Sequence, residues 1–263
     1  MTLALTKSYL GVTSTTDDAL LETLIDRSSA YIQRYLGRTL TSQRYYEWTD
    51  TFNSGRVALK HNPIEFVRFV GAGSESVITV NATIASDVFA SITVNDVHVH
   101  LFRVSSIGTE SSSTLTFASH DTTSEMAAQI NATTGFSASS LLSVPTKYLH
   151  KLAGRELKNS TAYLTAPTES LADYSVDYER GIIYGPTLKQ YQSLLVDYTG
   201  GYGDIPFDLQ QAAIELTARS YRGRLRDPGL SSESLGGYSY SARSVSELDA
   251  STKSILDSYR RLR

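Results

Sequence analysis

Apolar residues recur every three or four positions near both ends of this chain and every second position through much of its middle. One kind of element cannot serve both periods, so the ends must be helical and the middle extended. From Asp17 to Leu36, residues Leu20, Leu21, Leu24, Ile25, Ser28, Tyr31, Ile32 and Tyr35 share one stripe of a helix. Thr15 and Asp18 stand at capping-box spacing before it, and Gly37 supplies a stop. A shorter helical turn, LTKSYLG, ends the same way at Gly11, which predicts a helical hairpin. Near the other end, Leu209, Ala212, Ala213, Leu216 and Ser220 define one helix. Leu248, Thr252, Ile255, Leu256, Tyr259 and Leu262 define a last one, with Ser244 and Glu247 offering its cap.

The middle reads differently. Aromatic and β-branched residues dominate from Arg44 to Val70, and beyond Gly71 the texture changes again: 26 of the 73 residues from Ser74 to Thr146 are Ser or Thr. The alternation in VITVNATI, ITVNDVHVHLFRV and STLTF predicts short strands. One helix is expected among them, where Thr122 and Glu125 form a capping-box pair ahead of Met126, Ala127 and Ile130, with Gly135 after it. YSVDY, GIIYG and SLLVDY read as three further strands. The expected fold is α+β: a helical core with a small β element, built from residues 1–71 and 173–263, interrupted by an inserted β-rich domain at 72–172.

The chain has no cysteine, which removes disulfides, thiolate catalysis and Cys-based zinc sites and fits folding in a reducing cytoplasm. No signal-peptide pattern opens it and no apolar run reaches about 18 residues, so a soluble protein without membrane contact is expected. A net charge of −3 argues against a general nucleic-acid binder, but the charge is unevenly spread. Residues 219–263 carry nine Lys and Arg against five Asp and Glu, whereas 72–146 carry Arg103 alone against six carboxylates.

The stretch VDYTGGYGDIPFD sets three glycines between a strand and a helix, the layout of a phosphate cradle. Its spacing fits neither G-x-G-x-x-G nor G-x-x-x-x-G-K-[ST]; Asp204 would repel an anion, and Pro206 has no N–H to offer. Gly200, Gly201, Tyr202 and Pro206 are therefore read as a structural turn, with the strand ending at Tyr198, Pro206 at the first helical position and Asp208 in the first turn.

Enzyme signatures are missing: no G-x-S-x-G, H-E-x-x-H or P-loop occurs, and neither catalysis nor a cofactor or metal is expected. The metal alternative is His98 with His100, which alternate on a strand, joined by Asp96 and His120; the plain reading is a pair of surface histidines. In KYLHKLAGRELK, a helix would gather Lys147, Lys151, Arg155 and Lys158 on one basic face, either solvated or contacting nucleic acid or an acidic partner. Extended backbone would scatter them.

Four stretches, YLGVTSTTDDALLETLIDRSSAYIQRYLGRTL, LKHNPIEFVRFV, VDYTGGYGDIPFDLQQAAIELTARSYRGR and the loop DPGLSSESLGGYSYS, resemble in order and spacing the head-tail connector, or adaptor, proteins of tailed bacteriophages. Asp17, Asp18, Gly37 and Arg38 match the ends of that family's first long helix, Pro63-Ile64 its strand region, and Tyr198, Gly201, Tyr202 and Pro206 its strand-to-helix turn. Glu233 and Gly236 match the loop before the last helix. The β-rich insert departs from the family's pattern.

The resemblance implies a virion structural protein of the neck, assembled in the host cytoplasm. It would form a ring, generally of twelve copies, beneath the portal protein and above the tail or a head-tail stopper protein, with double-stranded DNA passing through the lumen without sequence recognition. The C-terminal helix is the expected portal-docking element, anchored by Leu248, Ile255, Leu256 and Tyr259; the alternative is that it folds back on its own core. A carbohydrate- or receptor-binding virion module, acting through the Ser/Thr-rich insert, is the competing functional reading.

Overall fold

The computed structural model describes residues 1–51, 54–185, 188, 193–224, 232–235, 238–241 and 249–260. Helices α1 (Leu3–Leu10) and α2 (Asp18–Leu36) precede strands β1 (Gln43–Thr49), β2 (Arg56–Ala58) and β3 (Ile64–Ala72). Strands β4 (Glu75–Ala82), β5 (Phe89–Val94), β6 (His98–Val104) and β7 (Glu110–Thr116) lead to helix α3 (Thr123–Ala132) and β8 (Phe136–Ser140). After a 3-10 turn at Thr146–Tyr148 come β9 (Leu152–Glu156), β10 (Ala162–Ala166), β11 (Glu169–Ser170), β12 (Ser175–Asp177), β13 (Ile182–Tyr184) and β14 (Leu194–Gly200). Helix α4 (Phe207–Gly223), the strand pair β15 (Ser232–Leu235) and β16 (Tyr238–Ser241), and α5 (Ala250–Tyr259) follow. The fold class is mixed α+β, as expected. The chain divides into two compact units, residues 1–43 with 200–263, and residues 44–199.

In the first unit the two glycine stops behave as the sequence predicts: Gly11 and Gly37 close α1 and α2 with φ of 70° and 69°. The Thr15–Asp18 capping box does not form. Asp17 occupies the N-cap of α2 without a side-chain cap bond, because both carboxylates are engaged elsewhere. Asp18 accepts from the Lys7 ammonium of α1 at 2.6 Å, and Asp17 accepts from the Tyr221 hydroxyl and, at 3.2 Å, from Arg224 at the end of α4. The shared core of α2, α4 and α5 holds Ile32, Leu36, Leu209, Ala212, Ala213 and Leu256, with Leu40 beside them. The buried Leu and Ile side chains among them contribute roughly 1.5–3 kcal/mol each. Helix α5 is further fixed by the Tyr259 hydroxyl donating to Asp208 at 2.7 Å, the Thr252 hydroxyl donating to Glu215 at 3.2 Å, and an Arg219–Asp249 ion pair. The expected cap at Ser244–Glu247 lies outside the described residues.

The second unit is organised by strand β14. Its sheet runs β1-β14-β3-β11, and both of its faces are covered, so LLVDYTG is buried almost throughout and does not alternate in exposure. What alternates is the core that each residue enters. Leu194, Val196 and Tyr198 pack with Val57, Leu59, Ile64, Val70 and Ile183. Leu195 enters the other core, with Val77, Ile92, Leu101, Met126, Ile130 and Leu164, where Tyr46, Trp48 and Phe69 also pack. That second core is closed by the sheets β10-β4-β8 and β7-β6-β5-β9 and by α3, whose Thr122–Glu125 capping box is present as expected. The seams expected at 71/72 and 172/173 fall inside this unit, because residues of β1, β3 and β14 share one core with residues 77–166.

Parity places Asp197 on the same side as Leu195, fully buried. The carboxylate is met from two directions: Arg44 of β1 donates through Nε at 2.8 Å and through a second guanidinium nitrogen at 2.5 Å, and the Tyr148 hydroxyl donates at 2.8 Å. Burial, and then the bond to Asp197, push the Tyr148 phenol well above its usual range. On the opposite face the buried Tyr198 hydroxyl donates to Glu47 at 2.8 Å, and Glu47 also accepts from the Lys60 amide at 3.0 Å. Burial raises the Tyr198 phenol in the same way.

Replacing Asp197 by Ala leaves the Arg44 fork and the buried Tyr148 hydroxyl without their acceptor. The expected cost is about 3 kcal/mol in denaturant unfolding, while Asp197→Leu combined with Arg44→Met costs less than the single change. A single-variant loss within about 0.5 kcal/mol of zero would show that the clamp does not hold the sheet. In the first unit, burial and the bond to Asp208 push the Tyr259 phenol from 10.0 to about 12. A raised folded-state value means that this contact contributes fully below pH 10.0 and loses its contribution as pH rises through about 12. Thermal melts of wild type and Tyr259→Phe should therefore differ at neutral pH and converge at the alkaline end; a constant offset would contradict the assignment.

Candidate functional site

The glycine-rich turn is built from the backbone outwards. Gly201 sits at φ 108°, where a Cβ would lie 2.5 Å from the Thr41 carbonyl oxygen, so only glycine fits. The closeness is used: the Tyr202 amide donates to the Leu40 carbonyl at 2.7 Å, and the Ser42 amide donates back to the Tyr202 carbonyl at 3.1 Å. Pro206 stands at the N-cap of α4, one position earlier than expected, and Asp208 in the first turn is held by Tyr259. An anion would meet a carboxylate and a proline here, and the Tyr202 amide is already engaged. Gly201, Tyr202 and Pro206 line the turn, whereas Gly200 still belongs to β14, which runs two residues beyond the end expected at Tyr198 because its backbone goes on pairing.

The C-terminal helix is placed on its own unit. Leu256 is fully buried in the helical core, Tyr259 packs against that core, and Ile255 is half-buried; Leu248 lies outside the described residues, as does Gly236. The fold-back alternative is therefore the arrangement seen, and the exposed positions of α5 after Ala250, among them Lys253, Ser254, Asp257 and Ser258, are polar.

The four basic residues of KYLHKLAGRELK lie on no helix. Lys147 is in the 3-10 turn, Lys151 immediately precedes β9, Arg155 is within β9 and Lys158 follows it. Only Arg155 lies within a strand and the other three sit in the turns around it, so no single regular face gathers the four. Lys151 pairs with Asp96 at 2.8 Å on the open surface. His98 meets the Asn95 side chain at 3.1 Å, and among the described residues no three potential metal ligands cluster.

Lys147 enters an arrangement that no sequence motif announces. Its ammonium lies 4.9 Å from the centre of the Tyr46 ring, and the Arg44 guanidinium lies 4.8 Å from that centre. Arg68 of β3 is near enough for its charge to act on the Tyr46 phenol; it donates to the Thr199 hydroxyl at 2.6 Å and packs 5.4 Å from the centre of the exposed Phe66 ring. Burial nevertheless dominates and raises the Tyr46 phenol. Only the alternation of Arg44 with Tyr46, and of Phe66 with Arg68, hints at this cluster in the sequence; its assembly needs the β1-β14-β3 order.

Comparison with known proteins adds three findings. No curated protein matches the chain. Among solved structures, a chain of the neck of an empty GTA particle, computed with C6 symmetry, is 14% identical, with 100% of this chain and 90% of that one covered at a TM-score of 0.43, a likeness too remote to bear on fold or role. Residues 1–127 match the family described as Phage gp6-like head-tail connector protein. The first two of the four quoted stretches lie within that match, so over residues 1–127 the chain is similar to the phage head-tail connectors, as the resemblance implies.

Proposed function

We propose that the protein is a structural connector of the virion neck, forming a ring, of twelve copies on the family's pattern, between the portal protein and the tail or a stopper protein. The observation that carries this reading is the connector-family match over residues 1–127. It is consistent with a glycine turn that is spent on closing the backbone of the helical unit. A ring subunit needs two different side surfaces that repeat around a closed heterologous contact. Residues 72–172 are proposed as an elaboration of the connector, supported by the core that residues 77–166 supply for themselves apart from the contributions of β1, β3 and β14. The portal-docking role of α5 is retained with a condition. Leu256 and Tyr259 are occupied in their own unit, so they can anchor α5 elsewhere only by leaving it, while the half-buried Ile255 is open to an outside contact as placed.

The test is electron microscopy of portal rings from the encoding phage mixed with this chain. The expected image shows an added ring of density on one end of the portal, and Ile255→Asp weakens its occupancy several-fold without lowering the melting temperature. A chain that stays monomeric and leaves every portal ring bare would sink the reading.

A further inference from the structure

Two cations stack on Tyr46, Arg44 from its own strand and Lys147 from the 3-10 turn, and a third, Arg68 of β3, is bonded to Thr199, two residues along β14 from the Asp197 that holds Arg44. Their charges are not cancelled. Neither Arg68 nor Lys147 has a carboxylate within ion-pairing distance among the described residues; Arg68 meets the neutral Thr199 hydroxyl and Lys147 the ring face. Arg44 is paired with Asp197, but that carboxylate is fully buried while the Arg44 side chain is 43% exposed. The positive charge therefore faces outwards and the negative charge inwards. Asp121 is the other carboxylate close enough to act on Tyr46. Phe66, 56% exposed beside Arg68, adds an apolar plane at the rim.

We infer that the exposed rim carrying Arg44, Arg68, Lys147 and Phe66 contacts the phosphate backbone of double-stranded DNA without reading its sequence. The fork of Arg44 is already filled by Asp197, so it cannot grip a second carboxylate in the two-pronged way that favours acidic side chains. What remains is a set of separated positive points on two strands and the 3-10 turn beside them, which suits spaced phosphates. No Asn or Gln side chain belongs to the cluster, so base edges have no partner there. The inference deepens the connector reading, in which DNA passes the chain, but it needs no portal to be tested.

The full-length chain is titrated into a fluorescently labelled duplex, with anisotropy followed from about 50 to 200 mM salt. The wild type should bind with an affinity that falls steeply with salt, and Arg68→Gln with Lys147→Gln should lessen the slope of log K against log salt by about 2. Arg68→Lys should keep the slope, and so should Arg155→Gln with Lys158→Gln, which lie outside the cluster. The inference is overturned by a wild type that does not bind at low salt, by an unchanged slope in the paired glutamine variant, or by polyglutamate displacing DNA at equal charge, which would assign the face to an acidic protein. Portal-ring binding by the paired variant is read separately: if the ring forms and DNA is ignored, the connector reading stands and this inference falls.

Discussion

A carboxylate with no exposed surface has to be neutralised where it stands, and in the unit of residues 44–199 that requirement falls on Asp197. Its position in β14 leaves no choice of side: Leu194, Val196 and Tyr198 fill one core, so Leu195 and Asp197 must face the other. Arg44 brings β1 to it and Tyr148 brings the turn that precedes β9, so one buried charge aligns the strand order, the end of the Ser/Thr-rich segment and the aromatic group of Tyr46, Phe69 and Tyr148. The same pairing holds Arg44 beside the ring of Tyr46.

Tyrosine donating to a carboxylate recurs through both units. Tyr148 and Asp197, Tyr198 and Glu47, Tyr221 and Asp17, Tyr259 and Asp208, and Tyr35 and Asp257 are all joined in this way. In a chain without cysteine these bonds take the part of cross-links between distant segments, though with very different strengths. The two pairs built on fully buried partners are worth the most, roughly 1.5–3 kcal/mol each for a hydrogen bond to a charged group, and the solvent-facing Tyr35 pair far less. Because every one of them joins residues far apart in sequence, none is visible as a motif.

Local signals were read well where the chain alone satisfies them. Gly11 and Gly37 stop their helices, and Thr122 with Glu125 caps α3, since in each case all partners lie within a few residues. The Thr15–Asp18 spacing is just as good on paper, yet Lys7, Tyr221 and Arg224 compete for the neighbouring carboxylates and win. The basic run from Lys147 to Lys158 failed as a helical face for a related reason. β9 pairs with β5, and strand pairing overrides a spacing that would suit a helix. The seams at 71/72 and 172/173 follow a real change of composition, but composition does not report that Leu195, Tyr46 and Phe69 enter the core of residues 77–166.

By itself the sequence determined the two periods, the helical stops, the strand-to-helix turn around Gly201 and the connector resemblance carried by order and spacing, all of which depend on neighbours along the chain. Tertiary structure alone decided that α5 spends Leu256 on its own core, that Asp197 is a buried clamp, that Arg44 and Lys147 meet on Tyr46 and that Arg68 reaches Thr199 of β14. The reason is physical: a spacing fixes which side of an element a residue occupies, whereas burial and charge pairing depend on which other element arrives to cover that side.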